Sequence, residues 1–247
     1  MTAWEPLAHP PIVEALVDVA VQHNPETTMD HIHGLAEACK TELPIEDVIQ
    51  ELSFGITANP SSMQTSHKRL ERGVRFRDDP TTRVFQAKLS GFTYNTVGHY
   101  AGWPALRAEA DRWLGAYIEA TKPICVTRLA IRTINRIALD LGPNLSATFR
   151  TAPGIAPELP QAVVDVFFRL VIPFVGGVAA RYVSVVQTPD AHQEGGGSMI
   201  FDVEAFRPDL DMKPDADNIL SELDSLREIK NDVFFRSLTP EALARYR

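Results

Sequence analysis

Sulfur chemistry is scarce in this chain. It carries two cysteines, Cys39 and Cys125, far apart in sequence and with no histidine close to either. Two reduced thiols, not bonded to each other, are the expectation, as in a cytoplasmic protein. Positive charge is scarce as well: 24 Lys and Arg against 32 Asp and Glu leave a net charge of -8. An acidic surface disfavours nonspecific nucleic-acid binding, which needs a basic face. No uninterrupted apolar run reaches roughly 18 residues, so no membrane-spanning helix is expected. The start Met1-Thr2-Ala3-Trp4-Glu5-Pro6 lacks the basic-then-apolar pattern of a secretory signal. With 45% hydrophobic residues over 247 positions, there is enough apolar surface for one large or two small cores.

Catalytic signatures are missing too. There is no Gly-x-Ser-x-Gly. The run Gly195-Gly196-Gly197-Ser198 resembles a phosphate loop in composition only, because no lysine follows and a strand pattern comes next. Asp30, His31 and His33 look metal-like, but two residues apart on a helix point about 200° from each other, so the histidines cannot share a metal. No metal and no cofactor is expected.

What the chain does have is residues 126–137, Val-Thr-Arg-Leu-Ala-Ile-Arg-Thr-Ile-Asn-Arg-Ile. Six β-branched side chains fit a pleated surface better than a helix. As a strand, it sets Thr127, Leu129, Ile131, Thr133 and Asn135 on one side. Arg128, Ala130, Arg132, Ile134 and Arg136 fall on the other.

Around this strand, the pattern reads in order. Residues 4–11 are proline-rich and irregular. Residues 12–22 alternate, with Val13, Ala15, Val17, Val19 and Val21 apolar and Glu14, Asp18 and Gln22 opposite. Thr28 caps a helix over about 28–42 that buries Ile32, Leu35 and Cys39. Residues 46–57 form a strand, 59–67 a polar loop, and 74–77 and 83–94 two strands joined at Asp78-Asp79-Pro80. A helix runs over 103–120, with Pro104 in its first turn and Trp113 in its buried stripe. In the second half, 142–160 is loop-like. Strands follow at 162–172, 181–187 and 198–206, then a long helix capped by Asp215 or Asp217, then a short one at Thr239-Pro240-Glu241.

Each half thus reads strand, helix or loop, three strands, long helix. The expected fold is α+β: two related halves, 1–122 and 123–247, forming antiparallel sheets backed by helices in one pseudo-twofold unit.

Several runs together resemble a sporadically distributed prokaryotic protein family of uncharacterised function. They are residues 10–15, Phe85-Gln86 with Gly91-Phe92, Trp103, residues 128–137, residues 201–206, and residues 231–235. The chain departs from the family at Thr133, where members carry tyrosine, and at Thr96, where they carry arginine. The resemblance implies no activity. Its patchy distribution implies a mobile or defence-related gene neighbourhood.

The candidate site residues are Arg128, Arg132, Asn135 and Arg136, with Asp202 and Glu204, which share a strand face. Three arginines on one face need partners or water. They form either an anion site or a salt-bridge ladder. Glu14 and Asp18 have the matching spacing. Were their strand paired antiparallel with the arginine strand, Glu14 would oppose Arg132 and Asp18 would oppose Arg128, leaving Arg136 unpaired. Asn231 stands out because helix interiors disfavour asparagine.

Three function classes follow. The leading one is a noncatalytic binding or regulatory protein, of toxin-neutralising or defence-accessory type, acting through a protein partner from the same operon or as a homo-oligomer. The second is a small anionic-ligand module using the arginine face and an apolar cleft between the halves. The third is a hydrolase using Asp202 or Glu204 as acid and base.

Overall fold

The structure, a computed structural model, describes residues 4–59, 62–139, 144–156, 158–160, 165–174, 180–190 and 197–247, with the backbone alone at 53–59 and 62–68. The fold is α+β. Nine strands form one antiparallel sheet, in the order β2-β3-β4-β5-β1-β6-β9-β8-β7. The strands are β1 (Ile12–Gln22), β2 (Ile45–Asn59), β3 (Ser62–Arg77), β4 (Arg83–Lys88), β5 (Gly91–Val97), β6 (Cys125–Ala138), β7 (Phe168–Phe174), β8 (Arg181–Pro189) and β9 (Ser198–Arg207). The expected sheets, in the plural, are one sheet: β1 and β6 pair directly and antiparallel, the pairing considered from the sequence, and join all nine strands. The expected duplication is not established by this architecture.

Two long helices, α3 (Trp103–Thr121) and α4 (Ala216–Ser237), lie on one face of the sheet. Alternation explains how that face is built. β1 buries Ala15, Val17 and Val19; β9 buries Phe201, Val203 and Ala205. Against them α3 packs Leu106, Trp113, Leu114 and Tyr117, and α4 packs Leu223, Leu226 and Phe234. Trp113 stacks on Phe85 of β4, and Phe234 meets Phe201 of β9. The Asp215 side chain caps α4 by accepting from the Asn218 amide at 3.0 Å.

Three local expectations are corrected. The helix over 28–42 is two short ones, α1 (Met29–His33) and α2 (Ala36–Cys39). They break at Gly34-Leu35, where glycine gives a helix little support. The strand over 83–94 is a hairpin, β4 and β5, with Lys88 paired to Gly91 across Leu89-Ser90. Gly91 permits this because a Cβ there would lie 2.4 Å from the Val19 carbonyl oxygen of β1. The polar stretch after Asn59 is mostly strand: β3 pairs with β2 from Ser62 to Arg77. Backbone pairing holds it without an apolar alternation to announce it.

Parts of the loop-like 142–160 stretch, of the strand read at 162–172 and of the Gly195-Gly196-Gly197 run lie outside the described residues. Within the described part of the second of these, β7 starts at Phe168. Both thiols are free. Cys39 is buried, which pushes its pKa up to about 12, and Cys125 is half-buried. No helix among the described residues is long and apolar enough to cross a membrane.

Candidate functional site

The arginine strand lies at the middle of the sheet, and its arginines fill the face away from the helices. Arg128 donates to Asp18 at 3.1 Å and to Glu204 at 2.8 Å, and its guanidinium lies 4.9 Å from the centre of the Phe206 ring. Arg132 forks onto Asp202, with Nε donating at 2.8 Å. That carboxylate holds the Arg132 guanidinium above its ordinary pKa. Arg136 donates to Asp190, whose carboxylate also accepts from Ser198 Oγ at 3.1 Å.

The expected register is off by two residues. Leu16, not Glu14, stands opposite Arg132, and Ala20 stands opposite Arg128. From Glu14 to Ala20 the ladder is continuous, and its two shifts, between Ile12 and Glu14 and between Ala20 and Val21, flank that stretch. Asp18 still reaches Arg128, diagonally. The Glu14 carboxylate instead accepts from Asn95 Nδ2 at 2.6 Å. Arg136 is paired, contrary to the sequence expectation. The ladder runs across β1, β6 and β9, and Asp202 and Glu204 serve as its carboxylates. Each bonds an arginine, on the sheet face opposite the helices.

The histidines go separate ways. The His31 ring accepts from the Thr28 amide at 3.1 Å, while His33 lies 3.1 Å from Glu46 and 2.7 Å from Glu71. The Glu46 contact holds the His33 pKa up. Among the described residues, no three His, Cys, Asp or Glu side chains are grouped to hold a metal ion.

The other face of the same strand carries a different chemistry. Thr133 and Asn135 point under α4, into a cavity of about 450 Å³. Its walls come from four segments: residues 4–12, residues 100–104 at the start of α3, β6, and α4 from Arg227 to Phe235. Trp4 stacks on Phe235 at 4.9 Å and its Nε1 donates to Asp232 at 3.3 Å, which holds the N-terminal segment over the cavity. Trp103 donates to Asp224 at 2.7 Å. Gly102, just before α3, takes a φ of 98°, a turn that glycine makes without strain.

At the inner end lies Lys230, only 6% exposed. Its Nζ donates to Thr133 Oγ1 at 3.2 Å and pairs with no carboxylate among the described residues. Burial, reinforced by Arg227, pushes its pKa down to about 7. Arg227, three residues earlier on the helix, lines the same cavity and makes no ion pair among the described residues. Burial raises the Tyr100 pKa, and Arg227 works against that shift. Asn135, 1% exposed, donates to the carbonyls of Phe201 at 2.8 Å and Thr133 at 3.1 Å. Its Oδ1 has no hydrogen-bond partner among the described residues. Asn231 also lines the cavity. Among the described residues the only carboxylate in the lining is Glu5, which is exposed. An acidic protein thus holds a small, apolar-walled, electropositive chamber.

The structure brings Asn135 to this chamber and leaves Arg128, Arg132, Arg136, Asp202 and Glu204 on the opposite face. Lys230 and Arg227 were not among the sequence candidates, although a signal was present. Lys230 falls four residues after Leu226 and four before Phe234, inside the apolar stripe of α4.

No family model matches the chain. No curated protein matches it either. Among solved structures, the chain is similar to the di-domain ARO/CYC StfQ from the steffimycin biosynthetic pathway. The TM-score is 0.21 and the identity 10%, over 91% of this chain and 96% of that one. A similarity at that level carries no argument about function.

Proposed function

We propose that the protein binds a small organic anion with an apolar body in the chamber under α4. The observation that carries this reading is Lys230: a buried cation without a carboxylate partner among the described residues, lining a cavity of ligand size. A carboxylate or similar anion would pair with Arg227 and Lys230 and supply the missing counter-charge. Trp4, Tyr100, Trp103 and Phe234 would receive the apolar part. The anion-binding role considered for the arginine face thereby moves to the opposite side of the sheet.

The chamber takes residues from both 1–122 and 123–247. In the strand order, β1-β5-β4-β3-β2 runs outward on one side and β6-β9-β8-β7 on the other. That order supports, within this proposal, two related halves with the ligand at their seam.

Thermal unfolding with a panel of aryl and alkyl monocarboxylates tests the binding. At a hundredfold excess over Kd, a ligand should stabilise the protein by about 2.7 kcal/mol. The shift should shrink in Lys230→Met. If no carboxylate moves Tm, or the variant responds as the wild type does, the reading falls.

A protein-partner role has its own support in the β2–β3 arm. β4 covers β3 only at Gly73–Arg77, so the hairpin projects beyond it; Leu52, opposite Arg69 in the projecting part, is 54% exposed, and Val48, opposite Val74 at its base, is 45% exposed. Long edges of this kind invite pairing with another chain. Sedimentation velocity over a wide concentration range should show a dimer for the wild type and a monomer for Leu52→Asp. A wild type that stays monomeric throughout would remove a second copy as the occupant.

A further inference from the structure

We propose that Lys230 captures 2-oxo acids with apolar side chains as a covalent imine, while Arg227 holds their carboxylate. The inference rests on the anion-binding reading above and goes further by naming the ligand class and a bond to it.

The geometry that points there is the pairing of two unlike cationic groups on one helix face. Arg227 and Lys230 are three residues apart, so their Cβ atoms lie about 5–6 Å from one another. Both line the same cavity. A guanidinium remains charged at any physiological pH and matches a carboxylate with two parallel donors. An amine held in an apolar enclosure, whose hydrogen bond among the described residues goes to the Thr133 hydroxyl, is suited to act as a nucleophile. In a 2-oxo acid, the carboxylate and the electrophilic carbonyl carbon are directly bonded. A ligand anchored at Arg227 therefore presents its carbonyl next to the helix position that Lys230 occupies. The aromatic walls suit an aryl or branched alkyl substituent at C3.

Protonation favours the same lysine. With its pKa near 7, about half of the Lys230 side chain is free amine at neutral pH, roughly a thousandfold larger fraction than for a surface lysine. Thr133 Oγ1, 3.2 Å from Nζ, is placed to relay a proton.

The step balances without an outside reagent. The Nζ lone pair attacks the C2 carbonyl carbon and forms a C–N bond, and the carbonyl π electrons move to oxygen. That oxygen takes up a proton as Nζ gives one up, which leaves a neutral carbinolamine. The carbinolamine then loses its hydroxyl and the remaining Nζ proton as one water, leaving C=N. Nothing is oxidised or reduced.

The test incubates the 247-residue chain with phenylpyruvate and sodium cyanoborohydride, which reduces an imine to a stable secondary amine. Intact mass and peptide mapping follow. The expected result is one adduct, of ligand minus one water plus two hydrogens, at Lys230. It should be on the order of tenfold above any other lysine. Arg227→Met should lower its yield severalfold. Saturation with 3-phenylpropionate, which has the carboxylate and ring but no keto group, should suppress it in the unmutated protein. That arm needs no variant to fold. Adducts spread over surface lysines, or none at Lys230, would overturn the imine. If 3-phenylpropionate still raises Tm in that case, the anion-binding reading stands and only the covalent step is lost. If it does not, both are lost.

Discussion

Replacing Lys230 by methionine should make the protein more stable at neutral and acidic pH, with the gain fading as the pH rises toward 10. The lysine's pKa falls from 10.5 to about 7 on folding, because the ammonium loses its water and has Arg227 nearby. Between those two values the unfolded chain binds a proton that the folded chain does not. Wild-type stability therefore climbs with pH across that window and is flat with respect to this group below it. Methionine fills similar volume and carries no charge to desolvate. The gap between the variant and the wild type should open by roughly 4 kcal/mol from about pH 10 down to about pH 6. Cys39, Tyr94 and Tyr117, whose pKa values burial raises, also bend the curve at high pH. They do so in both proteins, so the difference isolates residue 230. Urea midpoints for the two proteins across this range are the measurement. Parallel curves would mean that the lysine escapes to solvent, and the chamber would then lose its cation.

The same residue shows where sequence reading stopped. Residues 12–22 and 103–120 read correctly because an unbroken alternation or stripe announces an element buried on one face. The arginine strand was legible for the same reason, down to which residues share a side. One ion-pair partner was legible, Asp18 for Arg128; the others were not, because residue spacing alone does not set the register of β1 on β6 and does not reveal that β9 supplies the remaining carboxylates of Arg128 and Arg132. Asp190 was missed because it lies just past β8, where no periodicity points at it. The hairpin at Leu89-Ser90 depends on long-range packing, the close approach of Gly91 to β1. Lys230 and Arg227 were passed over since long cations near an apolar stripe ordinarily snorkel to water. Asn135, singled out for its place in the arginine strand, lies in the chamber because it alternates to the helix side.

Trp113→Ala should cost about 4 kcal/mol, at the upper end for a buried large-to-small change. The indole is 1% exposed and stacks on Phe85 at 5.5 Å. Phe85 in turn meets Phe76 and Phe92, and Phe92 meets Tyr117, so truncation opens a void in a continuous aromatic layer between α3 and β3–β5. Rings locked on a sheet and a helix cannot collapse into that space without leaving their rotamers. The Trp113 Nε1 bond to Glu109, at 3.1 Å, is a smaller part of the effect, because Glu109 is half-buried and keeps access to water. Trp113→Phe, which keeps most of the packing and loses that bond, should cost about 1–2 kcal/mol. Trp113 and Lys230 share no hydrogen bond, ion pair or ring contact, so their effects should add within about 0.5 kcal/mol. At neutral pH, Lys230→Met should then recover part of the stability lost in Trp113→Ala. A Trp113→Ala cost below about 1 kcal/mol would mean that the aromatic layer closes over the gap, and it would count against the packing described for the first half of the chain.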